Sequence, residues 1–270
     1  MRYITRRIEY ASTNDVFRVK VIADTHLGNL HSDEKQLKEI VKEIKDDPLC
    51  YWIHLGDVCE FINLHDPRFD PQELVSWMIG RDQLSDIARA EADHALSIFQ
   101  PIADKCLGIC EGNHEESIRG HSECDVYGRF IEGMIVKGQE HRLDHRGVIS
   151  LRFRRQTGNG VAFHIFCTHG SGGGFSGGAA ALKLAELLSQ WNGIDAILMG
   201  HHHVADYKPM SVWVPGETSV RQTIIHAISV PPLCGDMAYA DKRDRRPVPT
   251  GHAELTFHPG DRFTMAKIFL

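Results

Sequence analysis

The chain has 270 residues, 42% of them hydrophobic and 24% charged, the balance of a soluble globular protein long enough for one large domain or two small ones. A net charge of −6 argues against broad non-specific nucleic-acid binding, although bound divalent cations would add positive charge that the formal count omits. No window approaches 18 uninterrupted apolar residues and Met1-Arg2-Tyr3-Ile4-Thr5-Arg6-Arg7 lacks a signal-peptide core, so no membrane association and a cytoplasmic location are expected.

Residues 16–23 alternate and then become continuously apolar, which predicts a strand ending at Asp24. Asp33 with Gln36 forms a capping-box pattern, and Leu37, Ile40, Val41 and Ile44 recur at helical spacing. A second short strand at 51–55 ends at Gly56-Asp57, completing a strand–helix–strand unit of the doubly wound α/β kind. Residues 61–80, with Phe61, Pro67, Phe69, Pro71 and Trp77, predict an irregular excursion. Its aromatics read as a small satellite core rather than a nucleobase platform. A helix is expected over 82–100, a strand at 106–110 ending at Gly112-Asn113-His114, and a helix over about 122–135. Residues 148–154 and 161–167 read as paired strands around Gly158-Asn159-Gly160, the second delivering His169. The Gly- and Ser-rich stretch 170–178 is either a flexible connection or a substrate contact, and it lacks the Lys-Ser/Thr ending of a nucleotide-binding loop. A helix over 179–191 follows, then a strand at 196–199 ending at Gly200, with further strands at 223–230 and 263–270. The charged run 241–246 reads as a solvated loop. No repeat or long linker divides the chain, which points to a single domain over 1–270.

The seven cysteines are scattered, odd in number and without a Cys-x-x-Cys pair, which reads as a reducing compartment. The 17 histidines are the unusual feature of the composition. Many fall in short blocks: Asp24-Thr25-His26, Gly56-Asp57, Gly112-Asn113-His114-Glu115, Thr168-His169-Gly170 and Gly200-His201-His202-His203. Each alone could be a turn or a satisfied strand-end residue. Together, and mostly after apolar runs, they belong at the carboxyl ends of strands, where α/β sheets gather their ligands. The two-residue spacings Asp24/His26 and His201/His203 would turn both side chains to one side if the backbone is extended. Imidazole, carboxylate and amide donors without thiolate suit manganese, iron, zinc, nickel or cobalt. Two such ions about 3.5–4 Å apart can clamp a phosphoryl group and lower the pKa of a bridging water. His202 should face away from its neighbours, while His54, His121, His141, His145 and His164 have no ligand motif.

The five blocks resemble the pattern of the calcineurin-like metallophosphoesterases, matched from residue 17 to 203. The resemblance implies a four-layer α/β sandwich: two packed mixed β-sheets flanked by helices. It implies two divalent metal ions, manganese foremost. Asp24, His26 and His203 would hold one, Asn113, His169 and His201 the other, with Asp57 shared. His114 would protonate the leaving oxygen with support from Glu115, while a metal-bridging hydroxide attacks phosphorus. The second block lacks the arginine that protein phosphatases of the family carry, and Asp24-Thr25-His26-Leu27-Gly28 is similar to the opening of double-strand-break-repair nuclease subunits. Against that likeness, no long C-terminal extension of the kind those nucleases use for their partner is read here, and they usually carry Asp at the position of Glu115. The expected substrate is a phosphodiester, with nucleic acids and nucleotides as candidates. A phosphomonoesterase is the runner-up and a non-catalytic scaffold the alternative from another class. A protein partner cannot be read from the sequence.

Overall fold

The computed structural model describes residues 1–80, 82, 84, 86–155, 160–172, 177–215, 218–235, 247 and 249–270, the side chains of 121 and 122 excepted. The turn at 158–159, the middle of the glycine-rich stretch at 173–176, the charged run 241–246 and the His121 side chain lie outside them.

Among the described residues the strands are β1 Arg2–Tyr10, β2 Phe17–Ile22, β3 Cys50–His54, β4 Cys106–Ile109, β5 Arg146–Arg155, β6 Val161–Thr168, β7 Ala196–Met199, β8 Asp206–Pro215, β9 Val220–Ser229, β10 His252–His258 and β11 Phe263–Phe269. The helices are α1 Glu34–Asp46, α2 Ile87–Phe99, α3 Asn113–Ser122, α4 Val126–Gly133 and α5 Gly177–Gln190. The strands form two mixed sheets, ordered β1-β5-β6-β7-β9-β8 and β11-β10-β2-β3-β4. Within them β2, β3 and β4 are parallel, as are β6, β7 and β9.

Alternation along the strands builds the layers. Val19, Val21, Ile53 and Leu55 face Ile149, Leu151, Phe163, Ile165 and Leu198 across a core shared by both sheets. Phe17 and Phe153 meet there with ring centroids 4.7 Å apart. On the other face of the five-stranded sheet, Ile22 and Trp52 pack against Leu37, Ile40 and Ile44 of α1 and Ala92, Ala95 and Phe99 of α2. The Trp52 indole stacks on Phe99 at 5.0 Å and donates to the Ile102 carbonyl, so its one polar atom is satisfied. Phe166, Ile197 and Met199 on the outer face of the six-stranded sheet are covered by Leu184, Leu187 and Leu188 of α5. The result is the expected four-layer sandwich, helix–sheet–sheet–helix.

Local departures have local reasons. The Asp33 carboxylate caps α1 by accepting from Gln36 N at 3.0 Å, but Asp33 N donates to the Leu233 carbonyl and Gln36 Oε1 has no partner, so the box is half formed. The helix expected over 122–135 is α4, preceded by α3, which begins at Asn113; left-handed Glu123 (φ 53°) separates them. Residues 61–80 are irregular as expected, with 3-10 turns at Pro71–Glu73 and Ser76–Met78. Strands β1, β8 and β10 carry no clear sequence signal. β8 contains Pro209 and Pro215, which a central strand would not tolerate, but β8 is an edge strand. Among the described residues no helix is long and apolar enough to cross a membrane.

Candidate metal centre

The carboxyl ends of β2, β3, β4, β6 and β7 meet at one rim of the sandwich. Loops after β2 and β3 run side by side: Asp24 N donates to Gly56 O, His26 N to Asp57 O and Leu27 N to Val58 O, all at 3.0–3.1 Å. Across the sheets, His201 N donates to the Asp24 carboxylate at 3.0–3.1 Å and His169 Nδ1 donates to Leu55 O at 2.9 Å. The rim is thus assembled from both sheets.

The backbone does not deliver the side chains in the extended form expected for the two-residue spacings. Among the described residues nine non-glycine positions have positive φ, and five are Asp24, His26, Asp57, His201 and His203, with φ of 43–67°. Left-handed backbone costs about 1–3 kcal/mol per residue in such settings and clusters at functional sites. Gly56 precedes Asp57 with φ of 100°, and a Cβ there would lie 2.6 Å from Gly112 N.

The structure brings all seven proposed donors together. Three groups have donor atoms mutually within 4.8 Å and could each hold a metal ion: Asp24, His26 and His203; His26, Asp57 and His114; Asp57, His169 and His201. Asn113 joins the third group, its Oδ1 2.9 Å from His169 Nε2. Asp57 Oδ2 lies 3.4 Å from His169 Nε2 and 3.9 Å from His26 Nε2, between the outer groups. His203 Nε2 is 3.5 Å from Asp24 Oδ1. With Nδ1 donating, the neutral His169 ring would turn the lone pair of Nε2 toward Asn113 and Asp57. His201 Nε2 lies 2.9 Å from Gly172 O, which leaves Nδ1 as the basic nitrogen of the neutral ring.

Several groups support this arrangement. Burial alone would raise the Asp57 carboxyl, yet the surrounding His169, His114 and His26 hold it well below the carboxylate range. Burial and Asp57 push Glu115 up to about 7. The Glu115 carboxylate receives the N–H groups of Asp57, Val58 and Gly112 at 2.7–3.1 Å. It therefore fixes the Gly56-Asp57 turn, and the His114 ring is met at Nδ1 by the Glu60 carbonyl. The Glu60 carboxylate is buried with its Oε2 2.9 Å from His26 Nδ1. Arg68, from the irregular segment, forms a two-pronged pair with Asp66 and places Nη1 3.4 Å from His114 Nε2. Beneath the site Glu91, pushed well up by burial, accepts from Phe61 N at 2.6 Å. Glu60, Arg68 and Glu91 have no motif signature.

The remaining histidines sort by environment. His54 is fully buried under the site, with Nδ1 accepting from Gly56 N at 3.1 Å and Nε2 3.2 Å from Thr25 Oγ1. His202 is buried and edge-on to His201, outside the three groups. His141 is buried against Arg6, His145 is exposed near Glu116, and His164 lies beside Asp195.

No family model matches the chain, and no curated protein matches it. Among solved structures it is similar to the NAD nucleotidase (NadN) of Haemophilus influenzae, with a TM-score of 0.43 and 12% identity over 95% of this chain and 49% of that one. The chain thus spans about half the length of that protein.

Proposed function

We propose that the chain is a metallophosphoesterase that hydrolyses phosphodiesters, a nuclease or nucleotide phosphodiesterase, with two divalent cations of which manganese is foremost. The observation that carries this reading is the convergence of three His/Asp groups on one rim, two of them sharing Asp57. The donors fit such ions: they are imidazole, carboxylate and amide, and His26 Nε2 is buried with no hydrogen-bond partner. Asp24, His26 and His203 would hold one cation and Asn113, His169 and His201 the other, with Asp57 between them. When bound, the cations supply Lewis acidity toward phosphoryl oxygens and a water molecule of lowered pKa.

The chain's own groups complete the chemistry. Glu60 O orients the His114 ring through Nδ1, so Nε2 is the atom that meets substrate. Burial opposes protonation of His114, but Asp57 and Glu60 outweigh it and raise its pKa. Protonated at Nε2, it hands that proton to the leaving oxygen. Arg68 stands beside that atom, where its guanidinium can bind a non-bridging phosphate oxygen. Glu115 holds the Asp57 turn rigid through three backbone N–H groups.

Asp57→Asn should reduce manganese-dependent hydrolysis of a bis-aryl phosphate to background while the circular dichroism spectrum stays native. Turnover near that of the parent chain would overturn the reading. A second reading, a phosphomonoesterase, draws on Arg68, since an added cation suits the second negative charge of a monoester. Relative turnover of bis-aryl and mono-aryl phosphates separates the two.

A further inference from the structure

A cavity of about 450 Å³ lies between β1, an edge strand of the six-stranded sheet, and β4, an edge strand of the five-stranded sheet. Arg6, Arg7 and Arg152 line it together with Tyr51, Leu107 and a single acid, Asp104. Strand register separates it from the metal centre. Arg146 pairs with Thr168, next to His169, whereas Arg6 and Arg7 pair with Leu151 and Arg152. The six residue-to-residue steps from Arg146 to Arg152 span roughly 20 Å. Tyr51 and Cys106 likewise stand at the amino ends of β3 and β4, and Asp57 and Asn113 beyond their carboxyl ends.

Arg6 is the unusual group. Alternation along β1 turns Ile4, Arg6 and Ile8 inward, with Arg6 only 8% exposed, whereas Arg7 and its register partner Arg152 stand on the exposed face and line the cavity from that side. One guanidinium nitrogen, Nη2, donates to the Glu140 carbonyl and lies 3.0 Å from His141 Nδ1, while Nε is buried with no hydrogen-bond partner. Among the described residues Arg6 pairs with no carboxylate, nor do Arg7 and Arg152; Arg152 reaches only Ser150 Oγ at 3.3 Å. Burial lowers the Arg6 pKa, and the nearby Glu140 offsets this only in part. An anion in the cavity that Arg6 lines would add negative charge beside this guanidinium.

We propose that this opposite rim is a second ligand site, which binds a small phosphate-bearing anion of nucleoside-monophosphate size through Arg6, Arg7 and Arg152. Planar guanidinium forks match phosphate oxygens in pairs. The volume lies within the range of small-molecule pockets, and Tyr51 and Leu107 offer a non-polar wall for the remainder of the ligand. The site does not rest on the phosphoesterase reading, because none of its residues belongs to the metal rim.

Calorimetric titration of the full chain tests it, with adenosine monophosphate as the probe and adenosine as the uncharged control. Asp57→Asn separates this site from the metal centre: adenosine monophosphate, and not adenosine, should still bind that variant. Arg6→Met, made in the same background, should weaken binding by about tenfold or more. If Arg6→Met does not fold, the exposed pair Arg7→Glu with Arg152→Glu serves, with the same expected loss. Binding that vanishes in Asp57→Asn, or that is indifferent to all three arginines, would overturn the proposal.

Discussion

Glu60 acts on two imidazoles at once: its carboxylate lies against His26 Nδ1 and its carbonyl against His114 Nδ1. A carboxylate behind one ring nitrogen favours the lone pair at the other, which for His26 is the nitrogen near Asp57. Arg68 adds a guanidinium beside His114. Arg68→Met should lower kcat/KM for an aryl phosphodiester by about 10- to 100-fold, the range of a charge-assisted hydrogen bond. Its pair with Asp66 is partly exposed, so the melting temperature should hardly move. Unchanged kcat/KM would remove Arg68 from the phosphate site. At this scale the sequence is legible where chemistry comes in blocks: Asp24, Asp57, Asn113, His169 and His201 each follow an apolar strand. Glu60 and Arg68 are not legible: Glu60 belongs to no motif block, and Arg68 reaches the site only through the tertiary path of residues 61–80.

The loops and helix start that carry the donors are under steric tension. Gly112 caps α3, and a Cβ there would lie 2.1 Å from Asp57 Oδ1 and 2.2 Å from Asp57 N. Gly112→Ala should therefore displace Asp57, cost about 1–3 kcal/mol as an overpacked contact, and lower manganese stoichiometry. Melting temperature and elemental analysis check this, and native values for both would show that the turn has slack. The element boundaries show why spacing alone misplaced α3. Residues 113–122 hold Asn, His and two Glu in the first turn and little apolar periodicity, so the helix reads as polar turn. Edge strand β8 hides behind its prolines, and β10 behind inward Glu254, which is buried against Lys20 at 2.9 Å. Alternation made β5 and β6 plain and continuous apolar runs did so for β2 and β7, and β2, β6 and β7 lead to most of the donors.

For the whole molecule, burial keeps three histidines neutral: it lowers His54 to about 3 and His141 and His252 to about 4, against an ordinary 6.5. The unfolded chain takes up these protons below about pH 6.5 and the folded chain does not. Their contribution is complete above 6.5 and is lost as pH falls toward 3–4. Glu115 works in reverse, with its pKa at about 7 against an ordinary 4.5, so it recovers stability as pH falls through that window. Glu91 and Asp195, also raised by burial, act with Glu115, and His201 and His226, also lowered by burial, act with the three histidines, so five imidazoles against three carboxyls set the sign. The urea midpoint of chelated protein should fall between pH 6.5 and 4, and a flat or rising midpoint would contradict the assignment. The α/β alternation was legible from periodicity through residue 203, while the two packed sheets were implied only by the resemblance that the five blocks carry. Strands at 223–230 and 263–270 were expected, but the edge strands β1 and β8 were not, since edge positions place few apolar demands on their residues.

The Asp24 carboxylate is bound by the backbone of His201, 177 positions later in the chain. A nascent polypeptide therefore cannot close the rim until β7 and the turn through His203 have emerged, and a polypeptide stopped short of that turn lacks His201 and His203, two of the donors of the proposed metal centre.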